Sequence, residues 1–159
     1  MATITSLLKP AHGSGGIGRQ PYYVDMTIDL TAQAISSTAG DVVQCLTIPA
    51  NTRVLHAGLQ VVTSATMNTG TNATASLGAA DADEFVATFD IDAAVDGAYA
   101  PSATPAADIT LATADTLDVT FAGDGATYSA GKLRVYAVMM DVSDQGDVSA
   151  NEVDRDMLS

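Results

Sequence analysis

The clearest pattern in the sequence is an alternation of apolar and polar residues early in the chain. Because successive side chains of a β-strand point to opposite faces, this alternation predicts a strand with one buried and one exposed face. On a helix the same apolar residues would be scattered around the surface. We expect the buried face of this strand to hold Tyr22, Val24, Met26, Ile28 and Leu30.

Seven further segments have the apolar pattern and length of strands, and turn-forming residues such as Pro49, Gly78 and Gly123 separate them. No longer stretch has the apolar spacing of an amphipathic helix. The further strands are predicted at residues 42–48, 54–63, 73–77, 84–89, 109–112, 117–121 and 132–142. Eight short strands predict an all-β fold, an antiparallel β-sandwich of jelly-roll type. An immunoglobulin-like sandwich is the second choice, because the chain has no Trp for its Cys-Trp-Cys core.

The strands also carry apolar residues on the face predicted to point away from the core. In the strand at 54–63, alternation places Val54 and Val62 outward, and in the last strand it places Val138 and Met140 outward. An apolar outer face indicates burial, either in a subunit interface or beneath another part of the same chain. These four residues are therefore candidate interface positions.

The two ends of the chain differ from the predicted domain at 22–142. Residues 1–21 are rich in glycine and contain no acid, whereas residues 143–159 are acidic. The first segment is predicted to be an extended arm, either a disordered terminus or an arm that reaches onto an acidic neighbouring surface. The acidic tail is either solvated or docked on a neighbour. Interface candidates in the arm are the apolar and basic residues Ile4, Leu7, Leu8, Lys9, His12, Ile17 and Arg19.

Charge excludes several classes of partner. The chain has 19 acids against 6 bases, a net charge of −13, which repels phosphate groups. Nucleic acids and anionic membranes are therefore not expected partners. The first residues contain no apolar stretch of the length of a signal peptide, which predicts synthesis in the cytoplasm. Cys45 is the single cysteine, so no disulfide within the chain is expected.

No pattern of catalytic or cofactor-binding residues is visible. Residues 13–18 match the spacing G-x-G-x-x-G, but Pro21 and an alternating strand follow where a dinucleotide site needs a helix. The acidic clusters at residues 81–84, 90–96 and 141–147 fit calcium ligands or acids that cap turns, and none has the spacing of an EF-hand. The chain offers no Ser/His/Asp order and no His cluster. We expect no enzyme activity, no cofactor and no metal.

Three sequence segments resemble small accessory proteins of tailed bacteriophages. They are the strand at 23–30, the strand-turn-strand at 46–55 (LTIPANTRVL) and the run at 77–85 (LGAADADEF), with the strand opening at 131–135 (GKLRV) in addition. These segments are similar to those of head decoration, or cement, proteins. The resemblance implies a jelly-roll homotrimer on the capsid exterior of the virion, bound to the major capsid protein and bridging its subunits. It carries over no catalytic residue.

The same strand-and-turn patterns also occur in phage tail and baseplate β-domains. The alternative function is therefore a tail or fibre domain that recognises a host surface glycan. The two hypotheses differ in the partner that they predict, which is the capsid for a cement protein and the host cell for a receptor-binding domain.

Overall fold

The protein is an all-β domain of eight strands in the described residues. The computed structural model describes residues 20–32, 35–38, 40–100, 109–125 and 127–142. The arm candidates at residues 1–19 and the acidic tail from residue 143 lie outside this set. The strands are β1 (Tyr22–Asp29), β2 (Val42–Ile48), β3 (Thr52–Met67), β4 (Ala73–Gly78), β5 (Val86–Asp90), β6 (Ile109–Leu111), β7 (Asp115–Gly123) and β8 (Tyr128–Asp141).

The strands form two four-stranded antiparallel sheets. Sheet A has the order β1-β8-β3-β6, and sheet B has the order β2-β7-β4-β5. The chain forms one long antiparallel ribbon that is folded back at its middle. Along this ribbon the strands pair as β1–β8, β2–β7, β3–β6 and β4–β5. The pairs β3–β8 and β4–β7 then join the ribbon's turns into two sheets. This is jelly-roll topology, and it confirms the predicted sandwich.

The core lies between the two sheets and follows the two-residue period of the strands. Every second residue from Leu117 to Phe121 in β7 and from Leu133 to Met139 in β8 points inward and is buried, as the alternation predicts. The largest buried side chains, Phe85 and Phe121, are completely covered. Full burial of an apolar side chain of this size stabilises the fold by about 1.5–3 kcal/mol relative to exposure.

The prediction that Val54 lies on the outer face is wrong. The pairing of β3 with β8 shifts register between Val54 and His56, so that Leu55 is an additional residue in this strand. Such a bulge reverses the alternation on its two sides. Val54 therefore points into the core and is 0% exposed, as is Leu59 further along β3.

The predicted buried face of β1 is buried only at its second half. Ile28 is 4% exposed, but Tyr22 and Met26 are 39% and 40% exposed. The reason is position, since β1 is an edge strand of sheet A and only part of its inner face is covered by sheet B. Val42 on β2, the neighbouring edge of sheet B, is likewise 55% exposed.

The far edge of sheet A is covered by a segment predicted to be a loop. The Val61 amide donates to the carbonyl of Ala98 at 2.8 Å, and the Ala100 amide donates to the carbonyl of Leu59 at 2.9 Å. Tyr99 forms an isolated bridge with Gln60 between these bonds. This pairing holds Tyr99 beside β3, on the side of the molecule where β6 also pairs.

Candidate interaction surface

The outer face of sheet A carries the exposed aromatic side chains that sequence reasoning did not identify as a site. On β8, Arg134, Tyr136 and Val138 alternate with buried core residues and point outward. In the sheet, Tyr23 of β1 lies opposite Val138, and Gly58 of β3 lies opposite Tyr136. The strand pairing thus brings residues from three distant parts of the sequence onto one face.

Tyr136 is the centre of an aromatic cluster, which we define as Tyr23, His56, Tyr99 and Tyr136. The Tyr136 ring centroid lies 6.3 Å from Tyr23, in a stacked arrangement, and 5.8 Å from Tyr99, edge to face. The imidazole of His56 lies 5.7 Å away, tilted by 46°. These distances fall within the range of favourable aromatic pairs. Tyr23 and Tyr99 are each 58% exposed, so the cluster presents large ring surfaces to the outside.

Gly58 makes room for the central ring. A Cβ atom at Gly58 would come within 2.5 Å of the Tyr136 hydroxyl oxygen and 2.7 Å of its ring carbon Cζ. With no side chain at this position, the Tyr136 ring lies over the β3 backbone, and its hydroxyl lies 3.4 Å from Nε2 of His56. The ring is thereby held against the sheet by its neighbours on three sides.

Partial burial of Tyr136 affects its ionisation. Desolvation raises the pKa of this phenol, and the neighbouring Tyr99 and Tyr23 raise it further. The hydroxyl therefore stays protonated at neutral pH, where it can both donate and accept a hydrogen bond. The aromatic cluster consequently combines apolar ring surface with polar tips, a combination enriched at protein interfaces.

The same face carries all three cations of the described residues. These are Arg53, Lys132 and Arg134, against thirteen acids among the described residues. Lys132 Nζ lies 3.7 Å from a carboxylate oxygen of Asp29, and Arg134 Nε lies 3.6 Å from one of Asp25. Both pairs are about half exposed, so each contributes little to stability. Within the described part of the chain, the basic side chains are therefore concentrated on the outer face of sheet A.

Two groups with potential chemistry, the Cys45 thiol and the acidic cluster at residues 90–96, lie within the described residues. Burial raises the pKa of the Cys45 thiol to about 11, so the nucleophilic thiolate is scarce at neutral pH. In the cluster at residues 90–96, Asp90 caps a turn by accepting a hydrogen bond from the Ala93 amide at 2.9 Å, which agrees with the turn-capping interpretation. Asp92 accepts a hydrogen bond from the Ala73 amide at 2.7 Å, and Asp96 accepts one from the Ser64 amide at 2.7 Å. Across the described ranges, no three His, Cys, Asp or Glu side chains are grouped to hold a metal.

The predicted interface residues have three different outcomes. Val62, Val138 and Met140 are partly buried and lie on the outer side of sheet A, where the alternation placed them, and their interface role stays a prediction. Val54 is in the core. The arm candidates Ile4, Leu7, Leu8, Lys9, His12, Ile17 and Arg19 lie outside the described residues, and their role stays a prediction.

Sequence reasoning missed the aromatic cluster although part of the signal was present. The alternation placed Tyr23 and His56 on outward faces, and both are exposed. An exposed tyrosine on a predicted strand is the feature that could have marked this face. Their proximity to Tyr136 and Tyr99 could not be read from the sequence, because it depends on which strands pair.

Comparison with known proteins relates this fold to capsid structures. No family model matches the chain, and no curated protein matches it. Among the described residues, no helix is long and apolar enough to cross a membrane. A chain of the cyanophage Pam1 capsid asymmetric unit is 20% identical with a TM-score of 0.62, and the match covers 87% of this chain and 97% of that one.

Two further capsid structures contain similar chains. One is the capsid of Ralstonia phage GP4, at 18% identity and a TM-score of 0.58, covering 84% of this chain and 90% of that one. The other is the acid-stable capsid of Helicobacter pylori bacteriophage KHP30, at 18% identity and a TM-score of 0.54, covering 76% and 86%. At such identities the likeness concerns the fold, and the chain has the fold of chains found in three bacteriophage capsid structures.

Proposed function

We propose that this chain is a non-enzymatic structural protein of a bacteriophage virion, a head decoration or cement protein. It binds the outer capsid surface and stabilises the shell by bridging neighbouring subunits of the major capsid protein. The observation that carries the proposal is the likeness to chains of three capsid structures over most of both partners' length. The matched chains are therefore close to this chain in size and consist of the same domain.

The outer face of sheet A supports this proposal as the contact surface. Tyrosine contributes a large, stiff and amphipathic contact area, and it is enriched among the residues that dominate binding energy at interfaces. Tyr23 and Tyr99 present such area without rearrangement, since both are already exposed. The adjacent Val138 and Met140 extend the apolar area along β8.

Assembly as a homotrimer on the capsid exterior, after synthesis in the host cytoplasm, is part of the same proposal. Several copies of a weak contact on one particle raise the overall avidity without any single strong contact. The predicted arm adds further contacts in this scheme. Light scattering of the purified chain measures the oligomeric state directly, and a monomer or dimer mass would contradict the trimer.

Recognition of a host glycan by a tail or fibre domain remains the alternative, because exposed tyrosine rings also stack on sugars. The comparisons favour the capsid, since the matched structures are capsids. A binding assay with both partners separates the two functions. We expect the purified chain to bind phage heads that lack it and to raise their melting temperature.

The aromatic cluster provides a matched test of this binding. We expect Tyr23→Ser to weaken head binding by about tenfold or more, the effect of losing one dominant interface residue. The control is Val95→Ser, which removes an apolar side chain that is 73% exposed and is not part of the aromatic cluster. Binding to host cells and not to heads would contradict the cement function. Equal head binding by both variants would contradict the assigned contact surface.

A further inference from the structure

The aromatic cluster presents its rings in different orientations around one centre. The Tyr23 ring is inclined by 20° to the Tyr136 ring, whereas the Tyr99 ring stands almost perpendicular to it, at 78°. The exposed imidazole of His56 is tilted by 46°. All three ring centroids lie within 6.3 Å of the Tyr136 centroid. A flat group of a few atoms placed on this cluster can therefore contact two or more rings at once.

The backbone fixes the position of these rings. The residues before and after Tyr99 are hydrogen-bonded to β3, at 2.8 and 2.9 Å. Tyr23 lies within the β1–β8 pairing, opposite Val138. The Tyr136 ring occupies the space that Gly58 leaves over β3. Because the rings are already held in place, their contact with a partner costs little conformational entropy.

The electrostatics of the cluster favour a positively charged group. The face of an aromatic ring carries partial negative charge, so that a cation near an exposed ring is attracted to it. Tyr23 and Tyr99 are each 58% exposed. Asp25 adds a full negative charge, since it lies opposite Tyr136 in the β1–β8 pairing and is exposed. Ring faces and a carboxylate are thus combined on one small area.

The basic side chains of the same face lie beside carboxylates that compensate their charge. Arg134 Nε lies 3.6 Å from a carboxylate oxygen of Asp25, and its Nη1 donates a hydrogen bond to Oε1 of Gln60 at 3.2 Å. Lys132 lies 3.7 Å from Asp29 in the same way. The whole chain has a net charge of −13, which attracts a basic partner and repels an acidic one.

We propose that the aromatic cluster binds an arginine side chain of its partner, with the guanidinium group against the rings of Tyr136 and Tyr99 and near Asp25. Arginine fits better than lysine, because its planar and weakly hydrated guanidinium group stacks on aromatic faces. That this arginine belongs to the major capsid protein rests on the proposed function. Recognition of arginine by the isolated chain does not depend on that function.

Nuclear magnetic resonance titration of the full chain tests the recognition directly. The probe is a tripeptide with a central arginine and blocked ends, and the matched control carries citrulline, which has a similar shape without the charge. We expect the arginine peptide to shift the ring proton resonances of Tyr23, Tyr99 and Tyr136. Its affinity should be about tenfold higher than that of the citrulline peptide, because the cation is attracted to several rings.

Three results would overturn the proposal. The arginine peptide and the citrulline peptide could bind equally well, or the arginine peptide could leave the ring resonances unchanged. A third peptide with a central glutamate completes the comparison, and stronger binding of this peptide would assign the cluster to an acidic partner. None of these results depends on phage heads.

A pair of substitutions at Tyr99 separates ring charge from apolar area. Tyr99→Phe keeps the aromatic face, whereas Tyr99→Leu keeps an apolar side chain without it. We expect the affinity for the arginine peptide to fall by about threefold or more in Tyr99→Leu and to stay within about twofold in Tyr99→Phe. Equal melting temperatures of the two variants verify that both are folded. Equal affinities would show that apolar area alone holds the peptide, which contradicts the proposal.

The same two variants connect the inference to the capsid. We expect Tyr99→Leu to weaken head binding by a similar factor and Tyr99→Phe to bind heads almost as well as the unsubstituted chain. If the unsubstituted chain does not bind heads, the proposed function is contradicted, and the peptide titration still decides on arginine recognition. If the chain binds heads but the two variants bind them equally, the assignment of the arginine to the capsid protein is overturned.

Discussion

At the scale of residues, Val54 is the position where the alternation in the sequence and the structure disagree most. Its burial in the core can be tested by substitution. A valine in the core contributes packing energy to the free energy of unfolding, whereas a valine on the outer face contributes little to it. We expect Val54→Ala to lower the free energy of unfolding by about 2 kcal/mol. Val62→Ala on the partly exposed side of the same strand should change it by only about 0.5 kcal/mol. Chemical denaturation of both variants checks this, and equal effects would place both side chains in the same environment.

Cys45 gives a second test at this scale, through the ionisation of its thiol. Because burial disfavours the thiolate, the pKa rises from 9.0 to about 11. The folded state favours the protonated thiol. Its contribution to the free energy of unfolding is therefore fully present below pH 9 and is lost as the pH rises toward about 11. We therefore expect the rate of alkylation by iodoacetamide in the folded protein to keep rising through this range. A rate that levels off near pH 9, as for a small-molecule thiol measured in parallel, would contradict the burial of Cys45.

At the scale of elements, one carboxylate organises the turn that precedes β4. Asp124, just after β7, accepts hydrogen bonds from the amides of Thr71 and Asn72, both at 2.9 Å. These bonds favour the charged form and lower the pKa of Asp124 below 3.8. The stabilisation is therefore present above pH 3.8 and is lost as the pH falls through the lowered pKa.

Substitution of this residue tests the connection between β4 and β7. We expect Asp124→Ala to lower the melting temperature at pH 7, because two backbone amides lose their acceptor. The difference from the unmodified chain should shrink at acidic pH, where the carboxyl is protonated in both folded and unfolded states. Asp81→Ala, at an exposed position of the turn after β4, serves as control. A melting temperature equal to that of the control would contradict the role of Asp124 in this turn.

The strands themselves were largely predictable, whereas their irregularities were not. A period of two in the sequence determines which residues can share a face, and this was enough to assign the faces of β1 and β7, whereas β2 has a register shift at Cys45. The bulge at Leu55 and the pairing of residues 97–100 with β3 depend on contacts with distant strands. No local pattern encodes them. For the same reason, the direction of Tyr23 could be predicted but its stacking on Tyr136 could not.

At the scale of the whole molecule, net charge controls how stability responds to salt. A charge of −13 causes self-repulsion in the compact state, and dissolved ions screen it. We expect the melting temperature to rise between low salt and about 0.15 M NaCl, where the Debye length is about 8 Å. Differential scanning calorimetry across this range checks the prediction. A melting temperature that falls with added NaCl would show that attractive charge pairs outweigh the repulsion.

The folded-ribbon topology has a consequence for attaching other proteins to this domain. Tyr22, the first residue of β1, pairs with Met139, close to the last residue of β8. The polypeptide therefore enters and leaves the sandwich at one corner. A reporter or antigen joined directly before Tyr22 or directly after Val142 would therefore be attached at this one corner of the domain, whichever order of fusion is used.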